Sequence, residues 1–210
     1  MANNRFRLKP HEITILKDLR KPKVNRLIIG DIHLPYTHPK YLKHCQHIAE
    51  LYNCTAFSAT GDVIDSHFAS FHHTDTNTHG AKYELDMAID EMQEWYKAFP
   101  KVDVTIGNHD LIVHRKAEDG GIDKRWIRDF NEVLGCPGWN FEEQFVHDDV
   151  LYVHGTGCSG KGIMKRVQNW GKSMVQGHIH TQSFVDFTAS LNELKFGMQV
   201  PCGIDYKSWA

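Results

Sequence analysis

Five apolar, strand-like runs of the chain stop at residues that can ligate a metal ion. LIIGDIH ends in Asp31 and His33, AFSATGDVID carries Asp62, VDVTIGNHD carries Asn108 and His109, VLYVHG reaches His154, and MVQGHIH ends in His178 and His180. One such ending is ordinary, since an aspartate or histidine after a strand commonly caps or solvates a loop. Five make a constellation, because functional groups of open α/β sheets gather beyond the carboxyl ends of the strands, where segments distant in sequence share one crevice. A glycine adjoins each ending (Gly30, Gly61, Gly107, Gly155 and Gly177), which suits tight turns and close backbone approach.

Two carboxylates, one amide and four imidazoles (Asp31, Asp62, Asn108, His33, His154, His178 and His180) are more donors than one ion needs. A shared carboxylate can bridge two ions about 3.5 to 4 Å apart. Two divalent ions less the charges of two aspartates leave about +2, so such a site attracts an oxyanion. His178 and His180 are two apart and, in extended geometry, point the same way; each can serve a different ion. Mixed nitrogen and oxygen donors without thiolate suit Mn, Fe, Zn, Co or Ni, with Mn the first expectation.

Elements that alternate between strand and helix must position these groups. Strands are expected at 26–30, 54–60, 101–107 and 173–177, and helices at 39–52, 111–117, 123–134 and 161–171. Another helix follows residue 80, with Tyr83, Met87, Ala88, Met92, Trp95, Tyr96 and Phe99 forming one core-facing stripe. WNFEEQFVHDDVLYVHG reads as a hairpin turning at His147 to Asp149, and residues 66–80 read as a long loop. The 210 residues, 41% hydrophobic and 24% charged, predict one soluble domain at 24–210 behind an arm at 1–23. A net charge of -2 lacks the global basic footprint of a nucleic-acid coating protein. Five scattered cysteines without a CxxC pair fit reduced thiols, and no signal-like or bilayer-long apolar run occurs. A cytoplasmic protein without membrane association is expected; oligomeric state is open.

In order, the blocks DIH (31–33), GDVID (61–65), GNHD (107–110), the His of HG (154) and GHIH (177–180) resemble the signature of the calcineurin-like metallophosphoesterases. The resemblance spans about 150 of the 210 residues. The compact layout is also similar to small phosphoesterases encoded by bacteriophages, which would place the protein in the host cytoplasm. The resemblance implies a four-layer α/β/β/α sandwich of two mixed sheets between helices. By it, Asp31, His33 and His180 hold one metal, Asn108, His154 and His178 the other, and Asp62 bridges. It implies in-line attack on phosphorus by a hydroxide held by the metals, with His109 aiding the leaving oxygen and Asp65 orienting His109. For Asp65 and Asp110, capping or loop hydrogen bonding is the competing expectation.

Departures from the family narrow the substrate. Its serine/threonine protein phosphatases follow the second block with a phosphate-gripping arginine and carry Glu in the third; here Ser66 and His67 follow Asp65, and Asp110 ends GNHD. Its double-strand-break nucleases carry a further DNA-capping domain for which little chain remains. A free-standing diesterase is the first expectation. Nuclease action on DNA or RNA, and a metal-binding interaction protein without turnover, are the alternatives.

HGTGCSGKG (154–162) has P-loop-like glycine spacing, but Gly162 stands where a P-loop needs Ser or Thr. The loop is read instead as lining the cleft, with Lys161 and His67 as candidate substrate contacts. Basic residues cluster at the N-terminus and around Lys124, Arg125 and Arg128, where Trp126 is either a stacking platform for single-stranded nucleic acid or, the stronger expectation, buried against its helix.

Overall fold

The computed structural model describes residues 9–10, 24–70, 80–158, 162–189 and 193–207. Nine strands form two sheets among these residues. The first contains β1 (Arg26–Ile29), β2 (Ala56–Ala59), β3 (Val102–Thr105) and β4 (Trp139–Glu142) in that order, all parallel. The second runs β5 (Gln144–His147), β6 (Val150–Val153), β7 (Ser173–Gln176), β9 (Leu194–Gln199), β8 (Phe184–Ala189), with antiparallel pairs at both edges and parallel pairs inside. The expected two-sheet architecture is thus present, with the first sheet parallel throughout and the second mixed.

Side-chain alternation along the strands builds the layers. On β1, Leu27 and Ile29 join the core under helices α1 (Tyr41–Leu51) and α2 (Ala81–Ala98), with Cys45, Ala88, Met92 and Trp95. Ile28, pointing the other way, packs with Tyr152, Val175 and Val200 between the sheets. On β6 and β7, Leu151 and Met174 face outward onto Ile163 and Val167 of helix α5 (Gly162–Trp170). Helices, sheet, sheet and helix therefore stack around three apolar clusters. Each fully buried aliphatic side chain contributes about 1.5–3 kcal/mol.

Several expectations change. WNFE does not belong to the hairpin: β4 pairs parallel with β3, and the chain crosses to the other sheet at Glu143, so the hairpin is β5–β6 alone. Its two-residue turn has Asp148 and Asp149 at φ 51° and 61°, the left-handed pair that matches strand twist. The helix expected at 123–134 is a 3-10 turn at Lys124–Trp126 and a short α4 (Phe130–Val133), separated by extended residues. Trp126 is not buried; it is 84% exposed. Tyr83 leaves the expected stripe at 49% exposure, and its neighbour Glu84 is buried instead, at 3%. Within the expected loop, His67–Ala69 form a 3-10 turn, while 71–79 and nearly all of the arm lie outside the described residues. All five cysteines are free thiols, and no described helix is long and apolar enough to cross a membrane.

Met92 sits fully buried under the first sheet, so Met92→Ala is predicted to cost about 2–5 kcal/mol of stability in urea unfolding. Trp170→Ala, at an exposed helix end, is predicted to cost less than about 0.5 kcal/mol.

Candidate metal centre

β1, β2, β3, β6 and β7 all deliver their motif residues just past their carboxyl ends. Three of these residues, His33, Asp62 and His178, have positive φ (54°, 46° and 69°), a conformation that L-residues adopt at a cost of about 1–3 kcal/mol each and that clusters at functional sites. Backbone contact fixes the blocks to one another. The N–H groups of Ile32 and His33 donate to the Asp62 carbonyl (3.1 and 2.8 Å). Asp110, buried, accepts from Val63 and Gly107 N–H (2.9 Å each) and so ties the second block to the third. Burial and the Asp62 charge push the Asp110 carboxyl up, and its place in the structure is the loop-bonding one.

Glycines permit the close approach. A Cβ on Gly107 would lie 2.1 Å from Asp62 Oδ1, and one on Gly177 2.2 Å from Asp31 Oδ1.

Two donor groups share Asp62. Asp31, His33, Asp62 and His180 each offer one atom within 4.8 Å of the others, as do Asp62, His154 and His178. Asn108 Oδ1 lies 2.9 Å from His154 Nε2, which brings the seventh expected donor to the second group. Asp31, His33, Asp62 and His154 are buried, while Asn108, His178 and His180 are half-buried, so the centre has a closed back and an open mouth.

Tautomers follow from the acceptors. His154 Nδ1 donates to the Thr60 carbonyl (2.6 Å), leaving Nε2 toward Asp62 Oδ2 (3.2 Å). His33 Nδ1 donates to Asp65 Oδ1 (2.6 Å), which leaves a lone pair on Nε2, 3.2 Å from His180 Nε2 and 3.7 Å from Asp62 Oδ2. Histidines whose far nitrogen is held by a carbonyl or carboxylate are arranged as metal ligands are. His33 Nε2 and His180 Nε2, brought together beside the Asp31 and Asp62 carboxylates, are donor atoms that fit a cation. The carboxylates are themselves held: Asp31 accepts from Thr60 Oγ1 (2.7 Å) and His178 N–H (2.8 Å), and Asp62 Oδ1 from His109 N–H (2.7 Å). Burial would raise Asp62, but the close His154, with His33 and His109, holds it below the usual carboxylate range. Burial would lower His154, and its contact with Asp62 reverses this to about 9.

His109 is half-buried beside this cluster, its ring edge-on to His33 at 4.7 Å. Its Nδ1 donates to the backbone carbonyl of Asp65 (2.7 Å), and the Asp65 carboxylate, 3.4 Å away, is bonded to His33. The carboxylate expected to orient His109 thus holds His33, and the same residue's carbonyl meets His109. His67 Nδ1 lies 3.9 Å from Asp65 Oδ2 at the edge of the site, and Lys161 is outside the described residues. Thr60 and Glu84 carried no metal-ligand or catalytic signal in the sequence: Thr60 was legible only as a hydroxyl beside the GD pair, and Glu84 as one acidic residue in a helix.

Gly107→Ala, whose Cβ would meet both the Asp62 carboxylate (2.1 Å) and the Asp62 backbone nitrogen (2.4 Å), is predicted to displace Asp62 and weaken metal binding about 10- to 100-fold, measured by metal content after dialysis alongside circular dichroism.

The sequence profile of the calcineurin-like phosphoesterases matches residues 25–191. Comparison with curated proteins finds no match. Among solved structures, the chain is similar to Pseudomonas putida nuclease MPE, at 15% identity and a TM-score of 0.44 over 86% of this chain and 74% of that one. It is also similar to Chaetomium thermophilum Vps29, at 11% identity and a TM-score of 0.39 over 86% of this chain and 72% of that one. By the extent of the profile match and by the five ordered blocks on its strand ends, the chain belongs to the calcineurin-like phosphoesterase family.

Proposed function

We propose that the protein is a phosphodiesterase that works with two divalent metal ions. Its family makes it a metal-dependent phosphoester hydrolase; the diester preference, the residue roles and the ion are our reading. The observation that carries it is the pair of donor groups sharing Asp62 with His109 beside them. Asp31, His33 and His180 would hold one ion, Asn108, His154 and His178 the other, and Asp62 both. When bound, the ions, for which manganese is our choice, supply charge neutralisation for phosphoryl oxygens and activation of water.

The chain's own groups do the rest. Asp65 fixes His33 through its carboxylate and His109 through its carbonyl, so the His109 ring is anchored at Nδ1 and offers Nε2 to the departing oxygen. A proton given there relieves the charge of an alkoxide leaving group. Ser66 and His67 after Asp65, in place of an arginine, support the diester: one negative charge on the substrate needs less cationic grip than two. His67 and Lys161 are the proposed substrate contacts. The free thiols support a reducing cytoplasm, the compact layout a phage-type enzyme, and residues 24–210 a single catalytic domain behind the arm.

A second reading, nuclease action, is favoured by Trp126, which stands exposed in the turn with Lys124 and Arg125 against helix α3 (Ile112–Asp119), the helix that follows GNHD. A base can stack there for about 1–3 kcal/mol.

Metal-loaded protein assayed on an aryl phosphodiester, an aryl phosphomonoester and labelled single- and double-stranded DNA tests both readings. Diester hydrolysis above monoester hydrolysis is expected, abolished by Asp62→Ala and reduced about 10²- to 10⁴-fold by His109→Ala on substrates with poor leaving groups. Unchanged turnover in Asp62→Ala, or none with any metal, overturns the enzyme reading. Trp126→Ala is predicted to lower cleavage of single-stranded DNA about tenfold and leave the aryl diester rate unchanged; equal loss on both contradicts the nuclease reading.

A further inference from the structure

We infer that Glu84, remote in sequence from every motif, is a positioning residue for His109, acting through the turn that begins at Asp65. The inference rests on the proposed role of His109 as proton donor. Glu84 is on the first turn of α2 and buried, and its two carboxylate oxygens accept the backbone N–H groups of His67 (2.7 Å) and Phe68 (3.0 Å). Those are the first N–H groups of the 3-10 turn, which a helix leaves without internal partners. Ser66, at the N-cap, makes no side-chain cap bond and has φ 54°, so the carboxylate that caps this turn comes from a different helix.

The capped turn holds the Asp65 carbonyl where it meets His109. The Asp65–Ser66 peptide lies between the Asp65 side chain, fixed on His33, and the His67 N–H, fixed on Glu84. Its carbonyl accepts the His109 Nδ1–H at 2.7 Å. With both ends of the segment pinned, the strained φ of Ser66 persists and the carbonyl cannot turn away. Burial pushes the Glu84 carboxyl up, and the charge-assisted bonds from the two N–H groups counter part of that desolvation. Loss of those bonds lets Ser66 relax and the carbonyl rotate, while His33 keeps its own bond to the Asp65 carboxylate. The metal donors therefore stay in place and the proton donor shifts.

Leaving-group dependence separates this from a general loss of structure. Metal-loaded wild type, Glu84→Gln and His109→Ala are compared on a diester releasing 4-nitrophenolate, which needs no proton, and on a dinucleoside phosphate, which releases an alkoxide. Glu84→Gln is expected to lower kcat about 10- to 100-fold on the alkoxide substrate, change kcat less than about threefold on the nitrophenyl substrate and leave metal content unchanged, while any change in KM through His67 on the released turn falls on both substrates alike. His109→Ala is expected to show the same selectivity more deeply. If His109→Ala is selective and Glu84→Gln slows both substrates equally, sheds metal or slows neither, the positioning role is wrong. If His109→Ala itself shows no leaving-group dependence, the proton-donor reading fails first. Glu84→Asp keeps the charge but withdraws the oxygens, and it gives the same decision should Glu84→Gln not fold.

Discussion

Four carboxylates, Asp31, Asp62, Asp65 and Asp110, are buried within one cluster of loops, and holding them out of water is the constraint around which the rest is arranged. Burial of a charge is unfavourable by several kcal/mol unless it is paired and hydrogen-bonded. Each one has its partner here: Thr60 and the His178 N–H for Asp31, the His109 N–H for Asp62, His33 for Asp65, and the N–H groups of Val63 and Gly107 for Asp110. Strand ends make this possible, because the chain leaving a parallel sheet exposes backbone groups that neighbouring blocks can use. The positive φ values of His33, Asp62 and His178 are the conformational cost of that convergence.

The same arrangement separates two tasks. Buried Asp31, His33, Asp62 and His154 form a back wall whose hydrogen bonds fix ring tautomers and carboxylate orientation. Half-buried Asn108, His109, His178 and His180 line the open side, where a phosphate has access. Asp65 links the two, since its carboxylate bonds to a wall residue and its carbonyl to His109.

The convergence of the seven candidate donors was legible in the sequence because each lies just past the end of a short apolar run with a glycine beside it, and that local pattern survives whatever the sheet order. Layering was legible through alternation, as at Leu27, Ile28 and Ile29. The switch of β4 into the first sheet was not, because the alternation of Trp139 and Phe141 reads alike in either sheet. The expected burial of Trp126 does not occur because a 3-10 turn and extended residues stand where the spacing predicts a helix, and burial depends on that helix. The division of Asp65 between carboxylate and carbonyl, and the capping by Glu84, are contacts between segments far apart in sequence. No local spacing encodes them.

Anomalous diffraction from crystals of the manganese-loaded protein tests the central claim most directly. Two peaks about 3.5 to 4 Å apart, with Asp62 between them and His33 and His154 on opposite sides, are predicted. A single peak that leaves either donor group empty, or peaks away from Asp62, contradicts the account.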